Sequence, residues 1–145
     1  MLTVRRMLDF YRPGAASLER VDLLEMLQYV LALMSKQLNE AGIKVSLEFH
    51  GNPAPVDAVG SQIQQVFINL LLNATDAMPE GGNLLVTIRS LRDGVEMLFQ
   101  DDGRGIPKEK QVNIFEPFFS TKEGGTGLGL TVSYNIIAAH GGVLN

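Results

Sequence analysis

The sequence contains no cysteine, which excludes disulfides and thiolate metal sites. No apolar run approaches the about 18 residues of a membrane-spanning helix. The first residues, MLTVRRMLDF, lack the basic start and apolar stretch of a signal peptide. There is no block of like charge and no low-complexity tract, and a hydrophobic content of 46% argues against a disordered tail or a fibre. Bases do not outnumber acids, and the net charge of −4 gives no overall footprint of a nucleic-acid binder. The two histidines, His50 and His140, lie far apart without ligand spacing. What remains is one domain of 145 residues, long enough to bury a sizeable core. A cytoplasmic location is expected, in a parent protein that could itself be membrane-anchored.

Glycine is the residue in excess. Fifteen are present, and they cluster at Gly81 and Gly82, at Gly103 and Gly105, from Gly124 to Gly129, and at Gly141 and Gly142. Clustered glycine marks loops where the backbone approaches a ligand or adopts positive φ.

Hydropathy patterning gives an outline of the elements. Met1 to Tyr11 reads as the end of a helix stopped by Pro13 and Gly14, and Ser17 is a candidate cap for the next. Val21, Leu24, Leu27, Leu31, Met34 and Leu38 predict a helix from about Leu18 to Ala41, closed by Gly42. IKVSLEF, Ile43 to Phe49, alternates like a strand with one buried face. A second long helix is expected from Ser61 to Met78, ended by PEGG. NLLVTIRSLRDGVEMLFQDD reads as a hairpin around Arg92, Asp93 and Gly94. A glycine-punctuated connection from Gly103 to Gly125 carries IFEPFFSTK and precedes a last helix, after which VLN looks like a strand beginning. Helices and strands mix without a regular βαβ rhythm, which predicts an α+β fold, a two-layer α/β sandwich.

Four motifs could carry chemistry. In QVFINLLLNATDAMPEGG, at about 100° per residue, Gln62, Gln65, Asn69, Asn73 and Asp76 fall within an arc of roughly 80°. Such a stripe can be a solvated face, but solvated faces are usually rich in Lys and Glu. Four amides offer both acceptors and donors, which suits a polar ligand or a hard cation such as Mg²⁺. DDGRGIP sits at a strand end, either as a surface turn or as a carboxylate beside close-approaching backbone. GGTGLGL opens a helix, where exposed N–H groups and the helix dipole attract phosphate, although a flexible linker reads the same way. It lacks the GK[ST] of a P-loop and the glycine spacing of a dinucleotide fingerprint. IFEPFFSTK is either a hydrophobic plug over the core or a lid, and Lys122 could reach a phosphate as a point charge.

The order of these motifs resembles the catalytic ATP-binding domain of bacterial two-component sensor histidine kinases. That domain belongs to the GHKL superfamily, shared with gyrase, MutL and heat-shock chaperone ATPases. NLLLNATDA resembles the N box, DDGRGI the first G box, FEPFF the F box and GTGLGL the second G box, while HGG is similar to the segment after the last helix. The resemblance runs from about Val21 to the end. It implies a Bergerat fold, with three main helices on one face of a mixed β-sheet whose C-terminal strands are incomplete here. It implies ATP (or ADP) and Mg²⁺ as cofactors, with Asn73 as metal ligand and Asn69 beside the phosphates. Asp101 would accept from the adenine amino group, with Gly103, Gly105 and Ile106 closing on the base. Gly125, Thr126, Gly127, Leu128 and Gly129 would line the phosphates, Phe115, Phe118 and Phe119 would belong to the lid, and Lys122 would contact a phosphate.

Two departures from the family pattern bear on chemistry. Hydrolysing members typically carry a water-activating glutamate at the position of Asn69, and an amide cannot take that proton. Many kinases place a basic residue at the position of Asp76. No acceptor-helix motif surrounds either histidine. Residues 1–18 are expected to be the end of a dimerisation-domain helix and linker, and residues 19–145 the ATP-binding domain. The implied partners are a dimerisation and phosphoacceptor domain of the same kinase, itself a homodimer, and a response-regulator receiver domain. Neither nucleic acid nor direct membrane contact is expected. The alternatives are a regulatory nucleotide-binding module of the anti-sigma-factor type and an ATP-hydrolysing clamp.

Overall fold

In a computed structural model, which describes residues 17–103, 105, 108–111, 114 and 129–145, the first helix begins at Leu23 and not at Leu18. Asp22 decides this. Its carboxylate accepts a hydrogen bond from the Glu25 N–H at 3.1 Å, which caps the helix and leaves Ser17 outside it. The three residues before the cap form a short strand, β1 (Glu19–Val21). The long helix expected here is two helices, α1 (Leu23–Leu33) and α2 (Ser35–Glu40). They part at Met34, which leaves the helical region at φ −98° and ψ 7°.

The chain divides into two compact units, one including residues 58–70 and 129–145, the other Arg20–Asp57 and Leu71–Gly105. The second unit holds a mixed three-stranded sheet in the order β2 (Ile43–His50), β4 (Gly82–Leu91), β5 (Gly94–Asp101). β2 and β4 run parallel in the register Ile43 to Gly82 through His50 to Arg89. β4 and β5 form the expected antiparallel hairpin, Leu91 facing Gly94 across a turn at Arg92 and Asp93. The register aligns Val45, Leu84 and Asp101 across the sheet, then Leu47, Val86 and Phe99, then Phe49, Ile88 and Met97. One face of the sheet is therefore apolar almost to its end, and Asp101 is the carboxylate that finishes it. Leu27 and Val30 on α1, Met34 at the junction and Leu38 on α2 are buried, as are Leu84, Val86 and Ile88 on the central strand. Together they form the apolar core of this unit.

A short strand, β3 (Val56–Ala58), pairs with β1, where Arg20 and Asp57 meet at 3.0 Å. It leads into α3 (Gly60–Ala77), the amide-bearing helix, whose residues up to Leu70 belong to one unit and from Leu71 onward to the other. α3 buries Ile63, Val66, Phe67, Leu71 and Ala74, which recur at helical spacing. A one-turn helix, α4 (Lys108–Gln111), precedes α5 (Gly129–Ala139), which buries Thr131, Val132, Ser133 and Ile136.

The HGG segment is a helix stop. Gly141 adopts φ 76°, its N–H donates to the Ala138 carbonyl at 3.0 Å, and the Gly142 N–H donates to the Ile137 carbonyl at 2.9 Å. This is a Schellman closure. Residues 142–145 form no strand, so the strand expected at VLN is absent from these residues. The α+β class, the mixed sheet and three main helices (α1, α3 and α5) are as expected from the sequence. Among the described residues no helix is long and apolar enough to cross a membrane.

Candidate functional site

The amide stripe of α3 is not a solvated face. Gln62 is only 3% exposed, Gln65, Asn69 and Asn73 are half-buried, and only Asp76 at the far end is exposed. Gln62 Oε1 is buried without a hydrogen-bond partner among the described residues, and Asn73 Nδ2 is also buried.

Asn69 is the centre of a polar network within the unit that holds α5. Its Nδ2 donates to the Gly129 carbonyl at 3.3 Å and to Ser133 Oγ at 3.2 Å, while its Oδ1 accepts from Gln65 Nε2 at 2.9 Å. The amide stripe is thus fastened to the last glycine of GTGLG. Gln65 was read from the sequence as part of the stripe without a role of its own, and Ser133 was not singled out. Their signal is spacing: Gln65 precedes Asn69 by one helical turn, and Ser133 follows Gly129 by one.

The other unit carries the DDG turn. Asp101 Oδ1 accepts from the Gly103 N–H at 2.9 Å, which orients the carboxylate, and Oδ2 makes no hydrogen bond among the described residues. A Cβ at Gly103 would collide with the carbonyl oxygen of Ala77, the last residue of α3. Glycine is required there for a close approach to the helix end, a reason additional to any approach to a ligand. Gly105 adopts φ 72°, as its place in the turn suggested.

Asp102 secures this turn to the sheet. Its carboxylate accepts from the Asn83 backbone N–H and from Asn83 Nδ2, both at 3.0 Å. The backbone N–H, and then the side-chain amide, hold the Asp102 pKa below the ordinary carboxylate value. Asp102 is therefore a strand-end clip.

His140 is a further residue whose role the sequence did not disclose. Its Nε2 accepts from the Val59 N–H at 3.1 Å, which leaves Nδ1 to donate to the Ile136 carbonyl at 2.7 Å. The ring is thus held as the neutral Nδ1–H tautomer. Ile106, Phe115, Phe118, Phe119, Lys122, Gly125, Thr126, Gly127 and Leu128 lie outside the described residues. Among the described residues no group of three or more His, Asp or Glu could hold a metal ion.

Residues 58–145 match the profile of the histidine kinase-, DNA gyrase B-, and HSP90-like ATPase family. Sporulation kinase E of Bacillus subtilis (strain 168) is 39% identical over 132 residues, covering 90% of this chain and 18% of that protein. The chain spans between 18% and 31% of the length of the first curated relatives it matches. Among solved structures, the nucleotide-free catalytic domain of histidine kinase ThkA superposes with a TM-score of 0.78 at 32% identity, over 86% of this chain and 82% of that one. ThkA is also known in complex with the response regulator protein TrrA. Full-length ShkA in complex with AMPPNP gives a TM-score of 0.75 at 31% identity, over 87% of this chain and 27% of that one. The chain has the fold of histidine kinase catalytic domains and belongs to the histidine kinase-, DNA gyrase B- and HSP90-like ATPase family.

Proposed function

We propose that this chain is the ATP-binding catalytic domain of a sensor histidine kinase, which presents the γ-phosphoryl group to a histidine on a separate dimerisation and phosphoacceptor domain. The observation that carries this reading is the bond from Asn69 to Gly129, which joins the amide stripe to the glycine motif. The AMPPNP complex of ShkA supports a nucleotide as the ligand.

Each residue then has a task that its chemistry allows. Asp101 Oδ2 accepts from the adenine amino group, while Gly103 and Gly105 let backbone lie against the base beside Ile106. The N–H groups of Gly125, Thr126, Gly127, Leu128 and Gly129 receive the phosphates. Lys122 adds charge, and Phe115, Phe118 and Phe119 cover the nucleotide. Asn73 supplies the oxygen ligand for Mg²⁺. An amide oxygen is a hard donor of the kind this ion takes, and phosphates and waters complete its usual coordination. The fit is to an ion that arrives with its nucleotide, whose charge would offset that developing on the transferred group.

Transfer is favoured over hydrolysis by the same network. Asn69 has both amide hydrogens committed and no basic oxygen to take a proton from water. The reaction then relies on alignment of donor and acceptor and on charge stabilisation. Residues 1–18 would be the end of the dimerisation helix and the linker. The parent kinase would act as a homodimer in the cytoplasm, possessing or lacking a membrane anchor, and would pass the phosphoryl group to a response-regulator aspartate. The ThkA complex with TrrA supports that partner class.

The test supplies this chain with labelled ATP and its cognate dimerisation domain in trans. Acid-labile, base-stable label on that domain is expected. Free phosphate as the sole product would assign an ATP-hydrolysing clamp, and nucleotide binding without either product a regulatory module.

A further inference from the structure

Asn69 uses the two hydrogens and the oxygen of one amide to read three partners, and one of these, Ser133, lies outside any motif used above. Ser133 is completely buried on α5, one turn after Gly129, so Asn69 grips the helix at its first residue and again one turn on. Two points of attachment fix the rotation of that first turn as well as its distance. Gln65 fixes the polarity of the grip. By donating to Oδ1 it forces Nδ2 toward α5. A flipped amide would set Oδ1 against the Gly129 carbonyl, oxygen against oxygen.

We propose that Ser133 and Gln65 are positioning residues: acting through Asn69, they fix the end of the glycine motif at Gly129 and so the phosphate side of the nucleotide site. The proposal rests on the reading above that this motif receives the phosphates. It also explains why an amide stands at position 69. A carboxylate there would face the Gly129 carbonyl with no hydrogen to offer. The Gly129 carbonyl, which can only accept, thereby disfavours here the water-activating glutamate of hydrolysing relatives.

The experiment measures ATP and adenosine affinity by calorimetry, together with thermal unfolding, for the unaltered chain, Ser133→Ala and Gln65→Glu. Gln65→Glu is nearly isosteric, and its carboxylate accepts where Gln65 donated, which turns the Asn69 amide over. Both variants are expected to lose roughly five- to tenfold in ATP affinity with adenosine affinity unchanged. Combining either with Asn69→Ala is expected to add little to the loss from Asn69→Ala alone. Equal loss of ATP and adenosine binding with a lowered Tm would reduce the two residues to structural ones and overturn the proposal, as would retained ATP affinity in both variants. If the unaltered chain binds ATP no better than adenosine, the phosphate-binding reading of the glycine motif itself fails.

Discussion

His140 Nε2 accepts a hydrogen bond from the Val59 N–H, joining the residue after α5 to the residue before α3. Val59 is buried, so no solvent stands ready to replace the ring. The link also ties the two helices that the Asn69 network joins elsewhere, so the pair is fastened twice.

Replacing His140 by Ala leaves the Val59 N–H without its acceptor and is expected to cost about 1–3 kcal/mol of stability. Urea denaturation of the two proteins measures this. An unchanged midpoint would show that the bond adds nothing.

Asp102 gives the fold a dependence on pH. Its pKa is lowered in the folded state by the Asn83 backbone N–H first and the Asn83 side chain second. A carboxylate depressed by folding contributes stability that is complete above its ordinary value of 3.8 and is lost as pH falls through the folded pKa. The stability difference between the unaltered chain and Asp102→Ala is therefore expected to be flat at neutral pH and to shrink on acidification below 3.8. Denaturation midpoints measured along that series check it, and a gap that widens in acid would contradict the clip.

Asp101→Asn separates binding from folding. The new amide oxygen can still accept from the Gly103 N–H, but its NH₂ would oppose the amino group of adenine. Tm is expected to hold while ATP affinity falls about tenfold or more. Calorimetry beside a melting curve decides it, and full ATP affinity would remove Asp101 from the base site.

Asn73→Ala is expected to abolish Mg²⁺-dependent ATP binding or transfer without unfolding the domain. Asn73→Asp, which keeps an oxygen donor, should retain part of it. Unchanged Mg·ATP affinity with full transfer in the alanine variant would show that the metal is held elsewhere.

Much of this was legible in the sequence where the signal is local. The apolar spacing of α3, the alternation of β2 and the Asp-Gly turn of the hairpin each place an element within a residue or two of its observed bounds. What escaped depends on distant partners. β1 and β3 are three residues each and are strands only because they pair with one another. Asp22 outcompetes Ser17 as a cap through a hydrogen bond that hydropathy does not register. The amide stripe announced a site, but the bonds from Asn69 to Gly129 and Ser133 span 60 and 64 residues of sequence and have no local trace. His140 was legible only as a residue without an acceptor-helix setting.

The parallel partnership of β2 with β4 has a kinetic consequence. β4 meets β5 across a two-residue turn at Arg92 and Asp93, but meets β2 only after the chain has traversed residues 51–81, α3 included. Closing the short loop costs little chain entropy and closing the long one costs more. The hairpin is thus the expected early structure during folding, and β2 the late arrival. Amide protons of Thr87 and Arg89, which face β5, would gain protection in a pulse-labelling experiment before those of Ser46 and Glu48, which face β4.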